Sequence, residues 1–164
     1  MVARRRQLKW YERPVESFAK SRAGGWYFIN VAMRIDRRLL PLTNGRVSSG
    51  FGQQVGLLQT TGAKSGEPRA IPLLYLTDGD RIVLIASKGG APKHPAWLHN
   101  IRKHPNVSFL APRGRAGDYV AHEAKGEERE RLWAEAVDYY AGYATYQQRA
   151  GAREIPVVVL ERAA

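Results

Sequence analysis

The stretch Val55-Gly-Leu-Leu-Gln-Thr-Thr-Gly-Ala-Lys-Ser-Gly-Glu-Pro-Arg-Ala-Ile-Pro-Leu-Leu-Tyr-Leu76 carries the reading of the fold. Val55 to Thr60 and Ala70 to Leu76 read as strands. Between them, Gly62-Ala-Lys-Ser-Gly-Glu-Pro68 is built from residues that favour a turn. Asp78-Gly79-Asp80 then supplies a hairpin turn into Arg81 to Ser87, whose Ile, Val and Leu content marks a buried strand. Pro95 opens a short helix to about Lys103, and His104-Pro105-Asn106 closes it. Val107 to Ala111 and Tyr119 to Ala124 form another strand pair, Glu127 to about Tyr140 a second helix, and Ile155 to Glu161 a last strand. Five or six short strands with a crossing helix predict an α+β fold: a mainly antiparallel split or closed β-barrel with flanking helices, not a doubly wound sheet.

Upstream of that stretch, residues 1–23 are polar and basic, and read as mobile or as a short helix. From Gly24 to Leu40 the pattern is helical: Trp26, Ile29, Met33, Asp36 and Leu40 share one line, with Phe28, Ala32, Ile35 and Leu39 beside it. Asn30, Arg34, Arg37 and Arg38 fall opposite, and Pro41 is expected to stop the helix. This basic amphipathic helix either packs on the domain's own core or adds a membrane-surface role; the pattern fits both. Residues 43–55 read as a loop or linker. The expected division is a basic N-terminal extension with its amphipathic helix over 1–46 and a split β-barrel domain over 47–164.

Composition narrows the function classes. The 164 residues fit one domain, and the hydrophobic content of 44% with 25% charged residues is that of a soluble globular protein. No cysteine is present, which excludes disulfides, thiolate metal sites and cysteine nucleophiles and fits a reducing cytosol. Arg4-Arg5-Arg6 is not followed by an apolar stretch, so no signal peptide is expected, and Trp26 to Met33 is too short to span a bilayer. The expected location is cytoplasmic. Net charge is +11, with 11 Lys/Arg against 3 Asp/Glu up to Arg46 and 15 against 12 thereafter. The surplus therefore sits in the extension, where nucleic acid, an anionic membrane or a polyanionic ligand could meet it.

The usual catalytic signatures are absent. There is no G-x-S-x-G elbow, no G-x-G-x-x-G follows a strand, and Gly62-Ala-Lys-Ser-Gly lacks the Gly-Lys-Ser order of a P-loop. His94, His99 and His104 are spaced by five, which scatters them around a helix, so no metal site is expected. Two Gly/Lys turns remain, Thr60 to Arg69 and Ser87 to Trp97. Glycines allow close backbone approach, lysines supply point charge, and the second turn runs into a helix N-terminus. Taken alone, each turn is more often a solvated hairpin than a phosphate or carboxylate site. Tyr139, Tyr140, Tyr143 and Tyr146 form an aromatic ladder, the usual spacing of half-buried packing residues.

Together, these segments resemble the deazaflavin (F420)-dependent nitroreductase and quinone reductase family. The resemblance runs from about Val55 to Glu161. It is carried by Leu57 to Arg69, Pro72-Leu-Leu-Tyr-Leu76, Ala86-Ser-Lys-Gly-Gly90, Pro95-Ala-Trp-Leu-His-Asn100, Pro105-Asn-Val107 and Ile155-Pro-Val-Val-Val159. It implies a split β-barrel that binds coenzyme F420, an 8-hydroxy-5-deazaflavin. From F420 a hydride would pass to a small-molecule acceptor: a quinone, a nitroaromatic or an activated enone. Carried over by position, Thr61, Lys64, Ser65 and Arg69 would meet the coenzyme's phosphate and oligoglutamate tail, with Pro72 beside them. Ala63 stands where the family usually has arginine. Ser87, Lys88, Gly89 and Gly90 would line the coenzyme, with Lys88 at its phosphate, and Trp97 and Asn100 belong to the helix over its deazaflavin end. Tyr140, Tyr143 and Tyr146 match aromatics that roof the acceptor pocket, and with Ser87 they are the expected catalytic donors. A deazaflavin carries the redox chemistry itself, so a site without His, Cys or carboxylate catalysts is expected. The rival readings are an FMN split-barrel flavoprotein, an F420 carrier without turnover, and a nucleic-acid-binding module. Nucleic acid is disfavoured because the basic residues mostly precede the domain and lack interleaved exposed aromatics. An anionic membrane surface at the inner face of the cell membrane stays a candidate partner.

Overall fold

The structure is a computed structural model that describes residues 33–43, 45–48 and 53–163. Its frame is six antiparallel strands: β1 (Val55–Thr61), β2 (Pro68–Asp78), β3 (Arg81–Ile85), β4 (Asn106–Leu110), β5 (Gly117–Glu123) and β6 (Val157–Arg162). They close into a barrel in the order β1-β2-β3-β6-β5-β4. Among the described residues, helices α1 (Met33–Leu42), α2 (Ala96–Lys103), α3 (Gly126–Tyr139) and α4 (Gly142–Ala150) flank it, and a 3₁₀ turn spans Lys88–Gly90.

Alternation along the strands builds two cores at once. Ile82 and Leu84 of β3, with Val158 and Leu160 of β6, face the barrel interior beside Leu58, Tyr75, Phe109 and Tyr119. Val83, Ile85, Val157 and Val159 point the other way, onto Leu132 and Ala136 of α3 and Tyr143 of α4. Both faces of β3 and β6 are thus covered, which is why their sequences are unbroken apolar runs. Inside the barrel, Tyr75 and Phe109 meet edge to face with centroids 5.3 Å apart. Gly56 leaves the room they need: a Cβ there would lie 2.2 Å from Cζ of Phe109. Trp97, Leu98 and Ile101 of α2 join the same interior cluster.

Only the end of the proposed N-terminal helix falls within the described residues, and its part before Met33 lies outside them. Leu40 is fully buried on Val55 and Leu57 of β1, so this face packs on the barrel. Ile35, expected beside the apolar line, is instead 46% exposed. Pro41 does not stop α1; it sits in the last turn, and the helix runs on to Leu42. The turn closes because the Thr43 N–H reaches Leu39 O at 3.0 Å, bypassing the proline. The other departures are longer or shifted strand ends, and a helix, α4, where the sequence showed only a tyrosine ladder.

Candidate active site

Strand direction gathers the candidate residues. β1 runs up to Thr61, β2 runs down, and β3 runs up to Ile85, so the turn after β1 and the segment after β3 emerge at the same end of the barrel. β4 and β6 begin at that end and β5 finishes there, which places α2, α3 and α4 there as well. β3 pairs with β2 only from Tyr75 to Asp78, so Pro68 to Leu74 has a strand partner on the β1 side alone. Pro72 is tolerated in this strand because a missing N–H costs least where one edge is unpaired. Both Gly/Lys turns border this open edge.

The first turn is held rigidly. The Gly62 N–H donates to Glu67 O at 2.8 Å and the Gly66 N–H to Gly62 O at 2.9 Å. Arg69 folds back so that Nη2 donates to Ser65 Oγ at 3.4 Å, and the Glu67 N–H reaches the same oxygen at 3.3 Å. Helix α2 fastens the turn from the side. Buried Asn100 accepts the Ala63 N–H on Oδ1 at 2.9 Å and donates from Nδ2 to Thr60 Oγ1 at 3.0 Å. Its amide is spent at both ends on the turn, and this geometry makes it a residue that positions Thr61, Lys64 and Ser65. Trp97, from the same helix, is 4% exposed, with its ring in the interior cluster. Lys64 and Arg69 have no carboxylate partner among the described residues.

The second turn is conformationally unusual. Ser87 is right-handed (φ −73°, ψ −42°), and Lys88, Gly89 and Gly90 follow at φ +48°, +64° and +81°. A right-handed residue followed by left-handed ones turns successive N–H groups to one side, forming a concavity that accepts an anion. The N–H groups of Lys88 and Gly89 find no acceptor among the described residues, whereas those of Gly90 and Ala91 are used within the turn. Lys88 is not a glycine, so its left-handed backbone stores strain of about 1 kcal/mol. Arg153 holds that strain in place. It donates to Ser87 O and Ala91 O at 2.9 Å each, more weakly to Ala86 O at 3.4 Å, and faces His94 Nδ1 at 3.2 Å. Arg153 has no carboxylate partner among the described residues, so its charge adds to the field of the turn. Burial, and the neighbouring Arg102 and Arg153 cations, hold the His94 imidazole below its ordinary pKa, which leaves a lone pair for the guanidinium.

Helix α4, which carries Tyr143 and Tyr146, packs directly on this turn through its main chain and Arg149. Gly90 lies so close to α4 that a Cβ would come within 2.6 Å of Tyr146 O and 2.7 Å of Arg149 Cβ. Tyr140 and Tyr143 rings meet edge to face at 5.2 Å, and the Tyr140 and Tyr146 hydroxyls are 3.2 Å apart. Gly142 makes the corner from α3 into α4, since a Cβ there would strike the Tyr140 ring at 2.3 Å. Burial pushes the Tyr143 phenol well above its ordinary pKa, so its hydroxyl stays protonated at working pH. Tyr139 faces elsewhere, accepting the Gln54 N–H at 2.9 Å. Ser87, Lys88, Gly89, Gly90, Tyr140, Tyr143 and Tyr146 therefore form one group, and Thr61, Lys64, Ser65, Arg69 and Asn100 another, at one barrel end.

Sequence reasoning missed Arg153, and Gln147, which accepts the Ile155 N–H and donates to Arg153 O, both at 2.9 Å. No local signal marks either; a lone arginine before a strand reads as surface. Beside the second turn, a cleft of about 410 Å³ is lined by His94, Arg102, Glu123, Lys125, Arg129 and Glu154. Its ion pairs, Arg102–Glu123 at 2.7 Å and Arg129–Glu154 at 3.1 Å, neutralise most of its charge, so it offers little pull on an anion.

An antiparallel barrel with two cation-bearing, glycine-relaxed turns and a tyrosine cluster at one end defines a domain equipped to hold an anionic ligand. Residues 32–162 match the F420H(2)-dependent quinone reductase family, and the chain belongs to that family. It is 38% identical over 128 residues to an F420H(2)-dependent quinone reductase of Mycobacterium tuberculosis, covering 73% of this chain and 83% of the relative. A second Mycobacterium tuberculosis protein, named as a putative F420H(2)-dependent quinone reductase, is 34% identical over 117 residues, covering 70% and 97%. Among solved structures, the F420-H2 dependent reductase FDR-A is similar with a TM-score of 0.60 and 42% identity, covering 66% of this chain and 94% of that one. The protein is thus an oxidoreductase whose cofactor is coenzyme F420.

Proposed function

We propose that this reductase takes nitroaromatic and activated enone acceptors besides quinones, at a pocket roofed by Tyr140, Tyr143 and Tyr146. The observation that carries the reading is the direct packing of the Ser87–Gly90 turn on the main chain of the helix that bears Tyr143 and Tyr146, which sets an anion-accepting turn and a cluster of phenols on adjoining elements. The residues present fit the coenzyme: unspent N–H groups of Lys88 and Gly89 suit a phosphate, and Lys64, Arg69 and Lys88 suit its anionic tail. When bound, F420H2 supplies a hydride. The chain's own part is to position and to donate. Arg153 fixes the second turn, and Asn100 fixes the first. The Ser87 hydroxyl and the Tyr140–Tyr146 pair hold a proton toward the acceptor oxygen, where negative charge develops. Tyr143, kept neutral by burial, supports that pair by ring contact.

Lys64→Ala and Lys88→Ala test the cofactor half. Each is expected to weaken F420 binding by about 1.5 kcal/mol at low salt and less at high salt. Unchanged dissociation constants in both would mean that the turns are solvated hairpins. Tighter binding of FMN than of F420 would count against the coenzyme assignment, and binding without oxidation by menadione or a nitroaromatic would mark a carrier.

The same proposal extends to location: a cytoplasmic protein, held peripherally on an anionic membrane by the basic segment 1–46, ahead of a barrel domain over 47–164. Supporting it, Ile35, Leu42 and Val47 are 46%, 83% and 51% exposed, beside exposed Arg34, Arg37, Arg38 and Arg46. No helix among the described residues is long and apolar enough to cross a membrane. Flotation on anionic vesicles, lost in an Ile35→Ser/Leu42→Ser variant, is the expected result; equal recovery in the soluble fraction with and without the substitutions refutes it.

A further inference from the structure

We propose that Lys103 is a further cofactor-binding cation, directed at the anionic end of the coenzyme; the inference rests on the F420 assignment. Lys103 stands three residues after Asn100, on the same face of α2. Asn100 takes the N–H of Ala63, and Lys103 Nζ donates to the carbonyl of that same residue at 2.7 Å. Both backbone polar groups at position 63 are therefore bound to one helix, and an ammonium from another part of the chain is pinned onto the turn. The Ala63 side chain is a methyl, which neither screens that ammonium nor competes with it.

An ammonium has three N–H donors, and this one spends a single donor on Ala63 O. Lys103 is exposed and has no carboxylate partner among the described residues. Two donors and the full charge thus face solvent beside Lys64, on a turn that also holds Arg69 and has Glu67 as its one acidic residue. A cation in the last turn of a helix is favoured by that helix's own terminus. That effect explains a lysine at 103 but not its aim, since the bond goes to Ala63 and not to the free carbonyls of α2. Cations crowded on one turn repel each other, and an oxyanion chain offsets that cost. Phosphate and γ-linked carboxylates share this oxyanion chemistry, and the coenzyme carries both.

The test is fluorescence titration of the full chain, as wild type, Lys103→Gln and Lys103→Arg, against three forms of the coenzyme: polyglutamylated, trimmed to the phosphate-bearing portion, and the deazaflavin nucleoside without phosphate. Lys103→Gln is expected to weaken the polyglutamylated form about five-fold. The loss should disappear for the nucleoside and shrink at about 0.5 M salt, and Lys103→Arg should restore binding. A loss that persists with the trimmed form points to the phosphate, and one confined to the polyglutamylated form points to the tail carboxylates. Equal weakening of all three forms, or no weakening of any, overturns the proposal while F420 binding stands. Failure of the unmutated protein to bind any form overturns the coenzyme assignment and this proposal with it.

Discussion

Arg153→Met removes the clamp on the second turn while keeping most of the side chain's volume. The two donations at 2.9 Å, to Ser87 O and Ala91 O, are charge-assisted, whereas the 3.4 Å contact to Ala86 O is too long to add much. At about 1.5 kcal/mol each, the two bonds amount to about 3 kcal/mol. Arg153 is half-buried, so water reaches part of the freed carbonyl surface and about 2 kcal/mol is the net loss expected. For a chain of this size that lowers Tm by about 4–8 °C. The functional loss should be larger. The left-handed backbone at Lys88 is held against its own strain, and once released it relaxes, so the N–H groups of Lys88 and Gly89 no longer converge. F420 affinity is expected to fall about ten-fold or more, since pre-organisation of the binding backbone is lost. Thermal unfolding and F420 titration of wild type, Arg153→Met and Arg153→Lys decide it. Lysine should recover little, because a single ammonium cannot bridge carbonyls that a planar fork spans. An Arg153→Met protein with unchanged Tm and unchanged F420 affinity would refute the clamp.

Tyr146→Phe and Tyr140→Phe each break the 3.2 Å hydroxyl pair and should lower kcat/KM for the acceptor about ten-fold while F420 affinity holds; loss of cofactor binding or of folding would instead mark the tyrosines as packing. Gly56→Ala should cost about 1–3 kcal/mol in denaturant unfolding, because a Cβ 2.2 Å from the Phe109 ring must displace an interdigitated aromatic core; a wild-type midpoint would show that the ring has room to move. Hydrogen bonds from Arg131, and then from Arg81, hold the Asp78 carboxyl below its ordinary pKa. The unfolded chain therefore takes up that proton first. The stabilisation is complete above about pH 4 and is lost as pH falls through the lowered folded value. Asp78→Asn should lower Tm at pH 7 and flatten its decline toward pH 3, and parallel Tm curves for variant and wild type would contradict this.

Much of this protein is local information. Short apolar and β-branched runs bounded by Gly, Pro and Asp turns place β1 to β6 to within a few residues, and proline and polar caps bound α2, because these signals act between near neighbours in the chain. The glycines and lysines of the two turns are equally local, but by themselves they read first as solvated hairpins, and only the family resemblance singles them out as anion sites. Helix α4 was legible only as a tyrosine ladder: Tyr143, Tyr146 and Ala150 have helical spacing, but the polar run is short and opens on Ala141-Gly142, and its burial comes from β3 and β6, of which β3 lies far away in sequence. Arg153, Asn100 and Lys103 carry no local mark of their roles either. Each acts on backbone atoms 37 to 67 residues distant. Whether a side chain reaches a cofactor or fastens the turn that would do so depends on where barrel closure puts it. Strand direction, set by pairing across the whole chain, brings the turn after β1, the turn after β3 and the tyrosine helix to one end, and no stretch of sequence specifies that meeting by itself.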